Sequence, residues 1–245
     1  MNRFFILRPL ISGNNLIMED EEQVHHLKNV LRLKAQEPVA VFDEAGNEYN
    51  CSILKIGENI TLRIKSRRIP GELNVKLRLT IACAIPKKSK FDDIVDKLTQ
   101  LGVYRIIPLK TERVVVKLDK RKEELRSKRW NRIALSASQQ SQRNNIPVVE
   151  PVQKFKDVLV RSKDFDLKLI PTLAGQRKSL PEVILSLLPM AKILVLIGPE
   201  GDFSDGEIKL ALENGFIPVT LGDLVLRVDT AAIAVVSFIR LYGDS

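Results

Sequence analysis

Two short stretches hold the side chains best suited to chemistry. The first, 193-ILVLIGPEGDFSDGEI-208, is an apolar run that enters Gly198-Pro199-Glu200-Gly201 and leaves through Ser204 and Glu207, spaced as a capping box that opens a helix. The second, 219-VTLGDLVLRVDTAAIAVVSF-238, leaves a strand at Leu221-Gly222 and reaches a small-residue helix by way of Arg227, Asp229 and Thr230. Glycine at the carboxyl end of a strand lets a ligand approach backbone N–H and C=O groups, and ligands of parallel α/β sheets bind outside those strand ends. Two such crossings would bring Glu200, Arg227, Asp229 and Thr230 to one pocket. Two plainer roles stand beside this one: GxxG as a tight turn, and Arg227 as an ion-pair partner of Asp229. No Gly-Lys-Ser/Thr follows the first loop and no GxGxxG occurs, so triphosphate and dinucleotide sites lack their usual signals.

Other chemistry has little to work with. His25 and His26 are the only histidines and lie near no nucleophile motif; Cys51 and Cys83 each sit in an apolar strand-like run and read as buried thiols. No metal site is expected.

The elements that must position the two loops follow from periodicity. Residues 1 to 70 read as short strands at Phe4–Leu7, Pro38–Phe42, Glu48–Ile56 and Ile60–Lys65 around one helix from about Asp20 to Leu33, which suggests a small barrel. Arg67 to Asn74, with its Pro-Gly pair, is the candidate linker. From residue 75 to 245 strands alternate with helices: LTIACAI (79–85), then Phe91, Ile94, Val95, Leu98 and Leu101 at helical spacing, a strand from Tyr104, a helix around Trp130, LKLIPTL ending at Leu173, a helix at PEVILSLL (181–188), ILVLI (193–197), a helix over 205–213, IPVTL (217–221) and a last helix over 230–242. Such alternation predicts a mostly parallel sheet with helices on both faces.

The 245 residues, 44% hydrophobic and 28% charged, suit a folded chain with a sizeable core. No apolar stretch approaches a membrane span and the start carries no signal-peptide pattern, so a cytoplasmic location is expected. The net charge of +9 is local: residues 76–143 carry 18 Lys/Arg against 7 Asp/Glu, whereas residues 1–72 are balanced and residues 144–245 slightly acidic. A basic surface of that kind favours a polyanion such as RNA or DNA.

Several stretches taken together resemble one family. GPEGDFS, LGDLVLRVDTA, 97-KLTQLGVYRIIPLKTERV-114, SQQSQR at 138–143 followed by Ile146-Pro147, the opening RFF, and 25-HHLKNVLRLK-34 are similar to the bacterial 16S ribosomal RNA (uracil-N3) methyltransferases, the RsmE family of the SPOUT superfamily. The resemblance implies a PUA-like RNA-binding β-barrel over residues 1–70 and an α/β methyltransferase domain with a deep trefoil knot over residues 75–245. It implies S-adenosyl-L-methionine as cofactor, 16S rRNA or the assembled small ribosomal subunit as partner, and a homodimer through the knot region. Carried over by position, the cofactor contacts are Thr172 and Leu173, then Ile197, Gly198, Pro199, Glu200 and Gly201, then Leu221 and Gly222, then Leu226, Arg227, Thr230 and Ala231. In methylation of uridine N3, Arg227 would stabilise the anionic base, with Glu200 or Asp229 accepting the proton. RNA contacts are expected at Arg32, Lys88, Lys90, Arg113, Gln140 and Arg143. The chain departs from the usual pattern with Asp202 in place of a second glycine after GPEG, Asp229 in place of glutamate and Val228 in place of threonine.

Overall fold

The computed structural model describes residues 1–69, 77–86, 90–113, 120–184 and 190–243; Lys88, residues 70–74 of the expected linker and the end of the helix expected over 181–188 lie outside them. The chain divides into two compact units, Met1–Asn74 with Ser138–Ile146, and Val75–Ala137 with Pro147–Ser245.

The first unit is a six-stranded sheet of β1 (Asn2–Ile6), β2 (Leu10–Ser12), β3 (Asn15–Met18), β4 (Pro38–Asp43), β5 (Glu48–Ile56) and β6 (Ile60–Arg68), in the order β1-β4-β5-β6-β3-β2. Only the β1–β4 pair is parallel. Edge strands β1 and β2 do not pair with each other, so the barrel is open on one side. Period-2 alternation turns Phe4, Leu16, Met18, Val39, Val41, Ile53 and Leu62 into one core, each burial worth about 1.5–3 kcal/mol. The expected helix is shorter and wider than its periodicity suggests. Asp20 caps α1 (Glu21–His25) by accepting from Gln23 N at 2.9 Å, and the chain then opens into a π turn, His26–Val30. The wider turn keeps Leu27 and Leu31 against the core and leaves Val30 61% exposed. Residues 138–146 join this unit through Gln139 Nε2, which donates to Gln23 Oε1 at 3.2 Å, and Asn144 Oδ1, which accepts from Arg3; Arg3 also pairs with Glu48 at 2.9 Å.

In the second unit the elements are β7 (Leu77–Ala84), α2 (Lys90–Gln100), β8 (Arg105–Lys110), α3 (Lys120–Gln140, of which residues 138–140 fall in the first unit), β9 (Val148–Val149), β10 (Gln153–Lys154), α4 (Phe155–Arg161), β11 (Leu167–Pro171), β12 (Lys178–Ser179), α5 (Leu180–Ile184), β13 (Ala191–Ile197), α6 (Asp205–Glu213), β14 (Ile217–Thr220) and α7 (Val228–Gly243). Its strands are parallel, in the order β10-β8-β7-β13-β11-β14-β12, with β9 added to β8. Ile193 to Ile197 are all at most 1% exposed, as a strand covered on both faces requires. Trp130 of α3 lies 4.6 Å from the Phe91 ring of α2 and donates its indole N–H to Asp92 Oδ1 at 3.0 Å, which satisfies its one polar atom. Gly102, at φ +84, stops α2, and its carbonyl accepts from Arg240 of α7. For function the decisive feature is strand order. β11 lies between β13 and β14, so the loops leaving the carboxyl ends of these three strands emerge side by side.

A candidate cofactor site at three strand ends

Those loops line a hollow open to solvent on one side. Pro171 ends β11, and Thr172, Leu173 and Arg177 come from the loop after it; Ile197 ends β13, and Gly198, Pro199, Glu200 and Asp202 come from the loop after it; Leu221, Gly222, Leu224, Val225 and Leu226 come from the loop after β14, closed by Val228 and Ala231 of α7. Its walls are largely apolar with a few polar groups, the make-up of a small-molecule site.

Each loop has a local cause. Ser204 caps α6, its hydroxyl accepting from Glu207 N at 3.2 Å while Glu207 Oε2 accepts from Ser204 N at 3.0 Å. The same buried Glu207 accepts from Glu112 N at 2.9 Å, and Arg113 Nη1 donates to Gly201 O at 2.5 Å. The segment after β8 thus holds the glycine loop from behind. Gly198 has little room for a side chain: a Cβ there would stand 3.1 Å from two ring carbons of Phe203 and 3.3 Å from Asp202 Oδ1, so these neighbours would have to give by a few tenths of an ångström. Gly222, at φ +109, lies in a region that L side chains rarely adopt. Asp202, at φ +60, occupies the left-handed region as well; its Oδ2 accepts from Thr172 Oγ1 and Leu173 N, both at 2.9 Å, and its Oδ1 from Phe203 N at 2.8 Å.

Ten of the thirteen residues expected at the cofactor line the hollow: Thr172, Leu173, Ile197, Gly198, Pro199, Glu200, Leu221, Gly222, Leu226 and Ala231. Gly201, Arg227 and Thr230 do not. Gly201 O is occupied by Arg113, and Arg227 O accepts from Ala231 N at 2.8 Å as the first bond of α7. The exposed Arg227 side chain has no ion-pair partner among the described residues, so the pairing with Asp229 is not formed. Asp229 instead sits in the first turn of α7, where a carboxylate meets the positive end of the helix dipole. Glu200 and Asp229 both lie near the Cys83 thiol at the end of β7: burial pushes that thiol's pKa up, and the two carboxylates raise it further. Sequence reasoning missed Pro171, Arg177, Asp202, Leu224 and Val225 as lining residues. Adjacency to GPEG was the available signal for Asp202; Arg177 had none.

Of the residues expected at RNA, Arg32 (φ +52), Gln140 at the end of α3 and Arg143 belong to the first unit, and Lys90 and Arg113 to the second. Arg32, Arg113 and Gln140 are exposed; Lys90 and Arg143 are half-buried. No group of histidine, cysteine and acidic residues suited to a metal ion occurs among the described residues, and none of their helices is long and apolar enough to cross a membrane.

The RNA methyltransferase domain family matches residues 73–240, and the RNA methyltransferase PUA domain family matches residues 19–65. The ribosomal RNA small subunit methyltransferase E of Rickettsia conorii is 30% identical over 99% of this chain and 96% of its own. This chain belongs to the ribosomal RNA small subunit methyltransferase E family. Two solved structures bear the family's fold. A Legionella pneumophila methyltransferase in complex with its cofactor SAM has a TM-score of 0.87 and 31% identity, covering 98% of this chain and 97% of that one. The family member from Neisseria gonorrhoeae bound to S-adenosyl methionine has a TM-score of 0.86 and 28% identity, covering 99% and 98%.

Proposed function

We propose that the chain transfers a methyl group from S-adenosyl-L-methionine to N3 of a uridine in 16S ribosomal RNA. The observation that carries this reading is the hollow formed by three neighbouring strand ends. Its residues fit the cofactor's chemistry. Ile197, Leu226, Val228 and Ala231 offer apolar surface to a flat purine, and the backbone N–H and C=O groups of Leu224 to Leu226 make no hydrogen bond among the described residues, which leaves them for its polar edge. Glu200 and Arg177 present opposite charges suited to the ammonium and carboxylate of an amino-acid tail. Bound there, the cofactor supplies an electrophilic methyl group on a sulfonium.

The chain's own residues have two tasks. The lone pair of uracil N3 is delocalised while its proton remains, so that proton must leave; a carboxylate oxygen of Glu200 or Asp229 accepts it. Arg227, exposed beside the hollow and free of an ion pair among the described residues, stabilises the charge that develops on the uracil carbonyl oxygens. Much of the rate comes from holding N3 in line with the methyl group.

The test is transfer of labelled methyl from S-adenosyl-L-methionine to small ribosomal subunits and to free 16S rRNA, with mass spectrometry of the nucleosides. The reading requires 3-methyluridine; label on another base or no label contradicts it. Arg227→Ala is expected to lower kcat by about 100-fold or more with little change in cofactor affinity. Equal losses in both would make Arg227 a cofactor residue instead. RNA contact through Arg32, Lys88, Lys90, Arg113, Gln140 and Arg143 predicts binding that weakens steeply with salt.

The reading extends to a trefoil knot in the second unit and to a cytoplasmic homodimer through that region, supported by the exposed Leu241 and Tyr242 on α7. A monomer in sedimentation equilibrium at micromolar concentration would remove the dimer.

A further inference from the structure

We infer that Asp202 is a positioning residue for the hollow: its carboxylate latches the loop after β11 to the loop after β13 and so sets the width of the space between them. The inference rests on the reading of that hollow as the cofactor site. Asp202 stands at φ +60, where a side chain other than glycine is strained, although aspartate is among the less penalised. A residue needed only to complete the turn would do better as glycine. The side chain has an evident use. Oδ2 accepts from Thr172 Oγ1 and from Leu173 N, residues about 30 positions away on the neighbouring loop, and Oδ1 accepts from Phe203 N. Hydrogen bonds to an ionised acceptor are roughly twice as strong as neutral ones.

The latch extends beyond Asp202. Thr172 is buried, and because its hydroxyl proton goes to Asp202, its oxygen is left to accept from Ala174 N at 3.2 Å. Arg177 Nη1 donates to Thr172 O at 3.3 Å, so the same residue anchors the cation that lines the hollow. One chain of bonds therefore runs from the glycine loop through Asp202 and Thr172 to Ala174 and Arg177. Three protein donors occupy most of the acceptor capacity of this carboxylate, so the role assigned to Asp202 is through the loops it joins.

The experiment uses the full chain as wild type, Asp202→Gly, Asp202→Asn, Thr172→Val and the double variant Asp202→Gly/Thr172→Val. Affinity for S-adenosylhomocysteine is measured by calorimetry, kcat and cofactor KM by methyl transfer, and Tm by thermal melting. For Asp202→Gly, which sheds backbone strain along with the bonds, Kd and KM should each rise about tenfold, kcat should stay within about threefold and Tm within ~3 °C. Asp202→Asn keeps an acceptor for the Thr172 and Leu173 donors and should restore most of the affinity. In the Thr172→Val background the Asp202→Gly loss should shrink, because the two residues share one bond. Should Asp202→Gly not fold, Asp202→Asn and Thr172→Val carry the test, each with a Kd raised about threefold. Wild-type Kd and KM in the Asp202 variants, or a fall in kcat at unchanged KM, overturn the latch. Failure of the wild type itself to bind S-adenosylhomocysteine is a different result, which overturns the cofactor reading and the latch with it.

Discussion

The two glycine loops of the hollow look alike as sequence and are held very differently. From Gly198 to Phe203 the chain is fastened on every side: Asp202 N donates to Pro199 O at 2.9 Å, Arg113 holds Gly201, the Ser204–Glu207 box closes the exit, and Phe203 is 1% exposed with its ring 5.3 Å from that of Phe155. From Leu221 to Leu226 the fastening among the described residues is one local exchange between Thr220 and Gly222; Leu224 and Val225 are 77% and 72% exposed. The contrast predicts a division of labour: one wall preorganised by the fold, the other ordered by contact with a ligand.

Gly198→Ala should produce the largest effect, because it presses a methyl group into a fixed wall. Displacing the Phe203 ring costs about 1–3 kcal/mol, so both Tm and S-adenosylhomocysteine affinity should fall, by roughly tenfold or more in Kd. A variant that melts and binds as wild type would show that the first wall yields readily and would erase the contrast. Gly222→Ala tests the second wall. Its added Cβ meets nothing within 4 Å, so the penalty is confined to a φ of +109 and should be about 1–2 kcal/mol. It should appear in cofactor affinity with little change in Tm. Hydrogen exchange gives a smaller but more local reading: on adding S-adenosylhomocysteine, protection should rise over residues 222–227 and change little over 199–203. Equal rises would mean that both walls are ordered by the ligand.

The smallest effect belongs to the first unit. Burial pushes the Cys51 thiol from its ordinary 9.0 up to about 12. The unfolded chain ionises this thiol first, so its contribution to stability is complete below pH 9.0 and is lost as pH rises toward about 12. Cys51→Ala should therefore flatten the alkaline fall in Tm, and the folded wild type should resist thiol reagents at pH 8.

How far the sequence could be read varied with the kind of signal. The capping box at Ser204 and Glu207 and the α6 span were legible because their partners lie three residues apart. The parallel sheet was legible from unbroken apolar runs such as Ile193–Ile197. The π turn after His25 was not, since α and π turns share nearly the same apolar spacing over so few residues. Nor was the part of Asp202: it appeared as a departure after GPEG, while its Thr172 and Leu173 donors lie on another strand.

By itself the sequence determined the type and order of most elements, the two glycine loops and the family, all of which depend on neighbours in the chain or on stretches quoted in order. Tertiary structure alone decided that β11 separates β13 from β14, that residues 138–146 join the first unit, that Arg113 and Asp202 secure one wall and that Arg227 is left unpaired among the described residues. The hydrogen bonds among these join groups 29 to 141 positions apart, and a hydrogen bond or an ion pair depends on distance in space, which spacing along the chain does not encode.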